Sequence, residues 1–229
     1  GLTIFDNYDL ADLISCIDWT PFFMTWELKG QFPAILKDPI IGETARSLHN
    51  DAVAMLERVI GEEWLTAKAI VGLWPANSVD DDIEVYRDET RTEIATTFHT
   101  LRQQMSRQNR MRANYALADF VAPKSSGLID AIGAFAVTAG LGIDDHVQAF
   151  EQDHDDYSSI MLKAVADRLA EALAERIHEK VRKEIWHYAP DENLNNKDLI
   201  AESYTGIRPA PGYPACPDHT EKGLIWSLL

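Results

Sequence analysis

The 229-residue chain reads as an α+β domain with a mainly antiparallel sheet. Three observations carry that reading. An apolar run stopped by proline (residues 69–75) and an alternating run (residues 83–87) flank a polar turn, as the strands of a hairpin do. Residues 115–121 and 131–138 have the composition of two further strands. A long helical pattern over residues 153–187 follows them, so strands and helices are not in regular βαβ alternation.

Residues 6–15 read as a short capped helix with Leu10, Leu13 and Ile14 on one side. Residues 16–26 crowd Trp19, Phe22, Phe23 and Trp26 together and place Pro21 where a helix can begin. Asp18 is the one acid in that apolar run. It is either an N-cap or a buried anion with a partner. Residues 39–61 form a helix, with Ile41, Ala45, Leu48, Ala52, Met55, Leu56 and Val59 recurring at three and four.

Residues 77–82 are the polar turn of the hairpin. Residues 88–106 follow a helical pattern that closes on Leu101, Met105 and a basic cluster of Arg102, Arg107, Arg110 and Arg112, read as a solvated face. Residues 123–127 connect the two later strands, the second of which is rich in small residues and calls for close packing. Gly140 and Gly142 follow it without the third glycine of G-x-G-x-x-G, which excludes a Rossmann site. No P-loop, H-E-x-x-H or G-x-S-x-G pattern occurs.

In the long helix Met161, Val165, Leu169, Leu173, Ile177, Val181 and Ile185 recur at every fourth position. Four residues turn a helix by about 400°, so the stripe drifts roughly 40° per step and wraps the axis. Such a helix meets neighbours on several sides. Glu171 projects within about 20° of Ile160 and Ala164. It is either half-buried and in need of a cation, or an exposed partner of neighbouring charges. Residues 191–196 form a loop, and residues 197–204 a short helix containing Glu202 and ended by Gly206. Asp218 caps a final helix, with Glu221 at a variant of the capping-box spacing.

Residues 208–219 hold four prolines in twelve positions, so they form neither helix nor central strand. Arg208 brings a forked cation suited to a carboxylate, Gly212 a bare backbone and Tyr213 a flat ring with a polar tip. The stretch is either a stiff ligand-holding strap or a Pro-rich connection across the surface.

A net charge of −16 argues against nucleic acid and anionic membrane as partners. No 18-residue apolar run or signal-peptide pattern occurs. Cys16 and Cys216 stand near opposite ends of the chain in no metal or disulfide pattern, and a reducing cytoplasm is the expected compartment. The chain begins with Gly1 and stops within a helical pattern, so it is expected to be a piece of a longer protein.

The strap Arg208-Pro-Ala-Pro-Gly-Tyr-Pro214 resembles the Arg-x-x-x-Gly-Tyr-Pro signature of the C-terminal activation domain of cobalamin-dependent methionine synthase. Ile17-Asp-Trp-Thr-Pro-Phe-Phe23, Pro75-Ala-Asn77, Asp81-Asp-Ile-Glu84, Tyr86-Arg-Asp-Glu-Thr90, Leu117-Ala-Asp-Phe-Val-Ala-Pro123, His154-Asp-Asp-Tyr157 and Ala166-Asp-Arg-Leu-Ala-Glu171 are similar to the same domain, in the same order. The resemblance runs from about Asp6 to the end.

It implies one activation domain over residues 1–229, a C-shaped, helmet-like α+β fold around a twisted antiparallel sheet. It also implies binding of S-adenosylmethionine at Asp18, Glu171, Arg208, Ala210, Gly212 and Tyr213, with Glu202 nearby. By charge, Arg208 suits the ligand's carboxylate and the acids its ammonium and sulfonium, while the main chain of Ala210 and Gly212 suits the adenine edge. No catalytic or metal-ligating residue is expected here. The family's domain docks on the neighbouring cobalamin domain when that cofactor is oxidised to cob(II)alamin. One electron from flavodoxin or a similar reductase, with the methyl of S-adenosylmethionine, then restores methylcobalamin. Zinc belongs to the homocysteine module of the full-length 5-methyltetrahydrofolate–homocysteine methyltransferase. The family's chain continues past the point where this one ends and supplies a further Tyr over the ligand. Without the cobalamin, homocysteine and folate modules the domain is expected to bind but not to turn over. The alternatives are a docking module for a cobalamin domain or reductase, and a standalone reactivation protein acting in trans.

Overall fold

The computed structural model describes residues 1–104, 106 and 113–229. Strands β1 (Leu2–Tyr8), β2 (Thr66–Val79), β3 (Asp82–Tyr86) and β4 (Ile94–His99) lie side by side in that order, and β5 (Asp130–Leu141) also pairs with β2. The helices are α1 (Thr20–Thr25), α2 (Gly42–Gly61), α3 (Ile143–Gln152), α4 (Asp156–Lys180), α5 (Asn196–Ile200) and α6 (Glu221–Leu228). The α+β reading therefore holds. Among the described residues no helix is long and apolar enough to cross a membrane.

The chain divides into two compact units, and the division falls within β1, β2 and β5. One comprises Ile4–Ala69 and Val137–Ser203. Its centre is α4, which starts where the Asp155 carboxylate accepts a hydrogen bond from the Ser158 amide at 2.9 Å. Met161, Val165, Leu169, Leu173 and Ile177 are buried as the wrapping stripe predicts, and Leu162, Ala166 and Ala172 are buried with them. The 3-10 turn Leu10–Cys16 and helices α1, α2 and α3 pack around α4. Beyond Lys180 the helix widens into a π-turn, Val181–Ile185. There Arg182, fully buried, binds both oxygens of Glu192 and lies 2.6 Å from His178 Nδ1. Gly142 opens α3 at φ +97°, where a Cβ would stand 2.8 Å from the Trp64 carbonyl oxygen, so only glycine fits.

The other unit comprises Gly1–Thr3, Ile70–Ala136 and Tyr204–Leu229. Its core is Ala76, Ile83, Val85, Phe98, Ala118 and Val121, with Leu224, Ile225 and Leu228 of α6 packed on it. β2 and β3 form the expected hairpin, closed by Asp80 and Asp81 with Asp80 at φ +54°. β2 does not stop at Pro75. Its register with β3 begins at Ala76, so the missing proline donor is not needed on that edge, and Asn77 and Ser78 lie buried in the strand rather than in a turn.

Several local expectations are corrected. Residues 6–8 belong to β1, and the helix after them is a 3-10 turn capped by Asp9. Residues 88–104 are not helical. They form a loop and then β4, because Ile94, Thr96, Thr97 and Phe98 suit a strand and Phe98 pairs with Ile83 in the core. Residues 115–121 are not a strand but the 3-10 turn Leu117–Phe120, held by the Asp119 carboxylate on the Ala116 amide at 3.0 Å. Arg102 is no solvated cation, since it binds the carboxylates of Asp81 and Asp119. Its guanidinium holds the Asp119 carboxyl below the usual range. Arg107, Arg110 and Arg112, with Met105, lie outside the described residues. The helix placed at residues 197–204 is α5, which ends at Ile200. β1 and α3 were not anticipated. Glu221 makes no capping box: it is buried and its carboxylate accepts the His99 amide of β4 at 3.2 Å.

Arg91, at φ +55° in the loop before β4, holds this unit together from one point. It donates to the Ala76 carbonyl at 3.1 Å, to Asn77 Oδ1 at 2.6 Å and to the Asp130 carbonyl at 2.6 Å. Asn77 in turn donates to the carbonyls of Ala122 and Leu128, each at 3.0 Å. We expect Arg91→Ala to destabilise the fold by about 2–4 kcal/mol, since it strips donors from several part-buried oxygens. Arg91→Lys should recover little, because a point donor cannot span them. Urea unfolding checks both, and a Lys variant as stable as the parent would contradict the account.

Burial pushes the Glu221 carboxyl above its ordinary value of 4.5. A folded state that keeps its proton longer than the unfolded chain loses stability as pH rises from the unfolded pKa through the folded one. Glu221→Gln keeps an acceptor for the His99 amide and cannot ionise. The stability difference between variant and parent should therefore move in favour of Gln across that window, as followed by melting temperature from pH 4.5 upward. A constant difference would show that Glu221 does not titrate with folding.

Candidate functional site

The strap begins after Gly206, which turns the chain at φ +97°, and Arg208 follows half-buried. Its course is then fixed by its own main chain. Tyr213 N–H donates to the Ala210 carbonyl at 3.0 Å, Gly212 N–H to the Cys216 carbonyl at 2.8 Å, and Cys216 N–H to the Tyr213 carbonyl at 2.9 Å. The Leu117 amide donates to the Ala215 carbonyl at 2.9 Å and pins the strap to the 3-10 turn beside the core. Gly212 sits at φ +107° and the His219 ring lies directly on it, 2.4 Å from where a Cβ would be. No side chain is accommodated there. Tyr213 points outward, 62% exposed. Cys216 is buried, which raises its thiol pKa. Asp218 does not cap α6 directly. Its carboxylate accepts from the amide and hydroxyl of Thr220, the residue just before the helix begins.

The three acids lie in the other unit. Asp18 is half-buried between buried Ile17 and Trp19, and one of its oxygens accepts the Thr20 amide at 2.9 Å, at the start of α1. That is an Asx-turn bond and uses one carboxylate oxygen of two; the N-cap position of α1 is Trp19, which has no side-chain cap, so Asp18 is not the helix cap. Glu171 is exposed, which corrects the half-buried alternative. Ile160 on the same face is exposed as well, so only Ala164 marks the edge of the packed side. Glu202 is exposed and lies beyond α5, in the turn that ends it. Asn196 escaped the sequence reading. It donates from Nδ2 to the Ile17 carbonyl at 3.1 Å, and nothing in its spacing announces that contact. The His219 packing on Gly212 was likewise invisible, since six residues of irregular chain separate them.

An open groove of about 730 Å³ in the unit that carries the strap is lined by Ser78, Asp80, Asp119, Pro123, Lys124 and Ser125, among others. None of the seven expected ligand residues lines it. Among the described residues no group of three or more His, Cys, Asp or Glu is arranged to hold a metal.

Residues 9–229 match the family of the vitamin B12 dependent methionine synthase, activation domain. The chain belongs to that family. A crystal structure of the MetH reactivation domain bound to AdoHcy is 57% identical to it, with a TM-score of 0.93, over 100% of this chain and 70% of that one. The likeness in fold extends over the whole of this chain.

Within this activation domain Glu202 has an unusual backbone, left-handed at φ +51°. A residue with a Cβ pays about 1–2 kcal/mol for that conformation, which glycine adopts freely. We expect Glu202→Gly to raise stability by about 0.5–1 kcal/mol. A lower melting temperature would show instead that the Glu202 side chain holds the turn.

Proposed function

We propose that this activation domain binds S-adenosylmethionine and serves the reductive remethylation of cob(II)alamin in a cobalamin-dependent methionine synthase. The observation that carries the reading is the 57% identity to a reactivation domain bound to AdoHcy, the same molecule without its transferable methyl. The residues present suit the ligand. Arg208 opens a strap whose course from Ala210 onward is set by proline and by its own hydrogen bonds, and its guanidinium suits a carboxylate. Ala210 and Gly212 offer main chain to the adenine edge, and exposed Tyr213 offers a ring face. Asp18, Glu171 and Glu202 are the acids for the ammonium and sulfonium.

S-adenosylmethionine supplies the methyl group, and one electron comes from flavodoxin or a similar reductase. The protein's part is to bind and orient. Fixing the carboxylate and the adenine edge on one strap orients the ligand. The cobalamin domain of the same enzyme is the proposed docking partner, with zinc confined to the homocysteine module. The domain alone binds and does not turn over.

Calorimetric titration with S-adenosylmethionine tests the reading. Arg208→Ala removes a charge-assisted pair and should weaken binding by about 1.5–3 kcal/mol, roughly ten- to a hundredfold. Its melting temperature should fall little. Equal affinity in variant and parent would remove Arg208 from the site, and a parent that binds no ligand would leave docking as the domain's role.

A further inference from the structure

The segment carrying Asp18 and the turn carrying Glu202 are tied by one side chain. Asn196 is the first residue of α5, and its Nδ2 donates to the Ile17 carbonyl, one residue before Asp18. A carbonyl only accepts, so the amide must present its nitrogen there. The other amide atom, Oδ1, is buried and accepts no hydrogen bond among the described residues. The side chain is thus held by its donor alone, which is unfavourable for the oxygen and is offset by the link to Ile17.

α5 transmits that link because it is a rigid block. The Asn195 side chain accepts the Asp198 amide at 3.1 Å, and Asp198 returns a bond to the Asn195 amide at 3.3 Å. At the far end the Glu202 amide donates to the Leu199 carbonyl at 2.9 Å and the Ser203 amide to the Asp198 carbonyl at 3.0 Å. These bonds set the left-handed turn at Glu202. At the near end the Ile17 carbonyl belongs to the peptide that leads into Asp18, whose carboxylate is steadied by the Thr20 amide.

We propose that Asn196 is a positioning residue for the acid side of the methyl-donor site. It holds Asp18 and the Glu202 turn in a fixed relation, so that both carboxylates are ready for the ligand's cationic groups. The inference rests on the proposed binding of S-adenosylmethionine.

The experiment combines amide hydrogen exchange on the 229-residue chain with titration by S-adenosylmethionine. Asn196→Ala should raise exchange at the Thr20 and Ser203 amides together while leaving α4 protected. It should lower affinity about tenfold, as expected for misplaced binding groups. In an Asp18→Asn background the same change should cost less than about threefold, because Asn196 acts through Asp18. A general structural role would instead give additive losses, which would overturn the proposal. Asn196→Asp cannot donate to Ile17 and adds an acid. It should bind as weakly as Asn196→Ala, and tighter binding would show charge rather than position at work. Unchanged exchange at Thr20 and Ser203 overturns the proposal whether or not ligand binds. A parent chain that does not bind S-adenosylmethionine ends both readings, while the exchange data still report whether Asn196 ties the two segments. Should Asn196→Ala fail to fold, Asn196→Ser, too short to reach Ile17, takes its place.

Discussion

Burial of α4 on every side but the one that carries Ile160 and Glu171 is the constraint on which its unit depends. A stripe at every fourth residue cannot face one way, because the helix advances about 40° too far at each step. The 3-10 turn before Asp18 and helices α1, α2 and α3 all find apolar surface on it. Asp18 is therefore carried between two elements that both rest on α4, and Glu171 stands on α4 itself. Elements that rest on such a helix inherit the stiffness of a packed core.

The strap reaches stiffness by another route. It has no helix or sheet ladder to lean on, so its prolines limit the torsions and three main-chain hydrogen bonds between residues 210 and 216 close the rest. The Leu117 amide then fastens it to a turn next to the core. Gly212 is needed twice over, for its positive φ and for the imidazole that lies on it.

Polar groups inside each unit are used as fasteners rather than tolerated. Arg91 and Asn77 between them engage carbonyls from β2, from the start of β5 and from the chain near residues 122 and 128. Arg182 and Glu192 join the π-turn to the loop that precedes α5. Backbone oxygens without a ladder partner take side-chain donors instead, so each fastener also specifies which loop lies where. A purely apolar contact would leave that choice open.

By itself the sequence determined the α+β class, helix α2, the long α4, the β2–β3 hairpin and β5, because periodicity and turn chemistry are local and strong there. It also determined the family, through motifs spread over most of the chain, and with it the strap and its Arg208, Gly212 and Tyr213. Tertiary structure decided the rest. Residues 94–99 became a strand only because Phe98 finds Ile83 across the sheet, and residues 117–120 tightened into a turn around Asp119 and Arg102. Glu221 was drawn from a capping position into the interior by the His99 amide. Glu171 was left exposed, since helical angle alone does not say where the packed side ends. Asn196 found the carbonyl before Asp18 across most of the chain's length. Partners distant in sequence leave no periodic trace, so only the folded chain shows them.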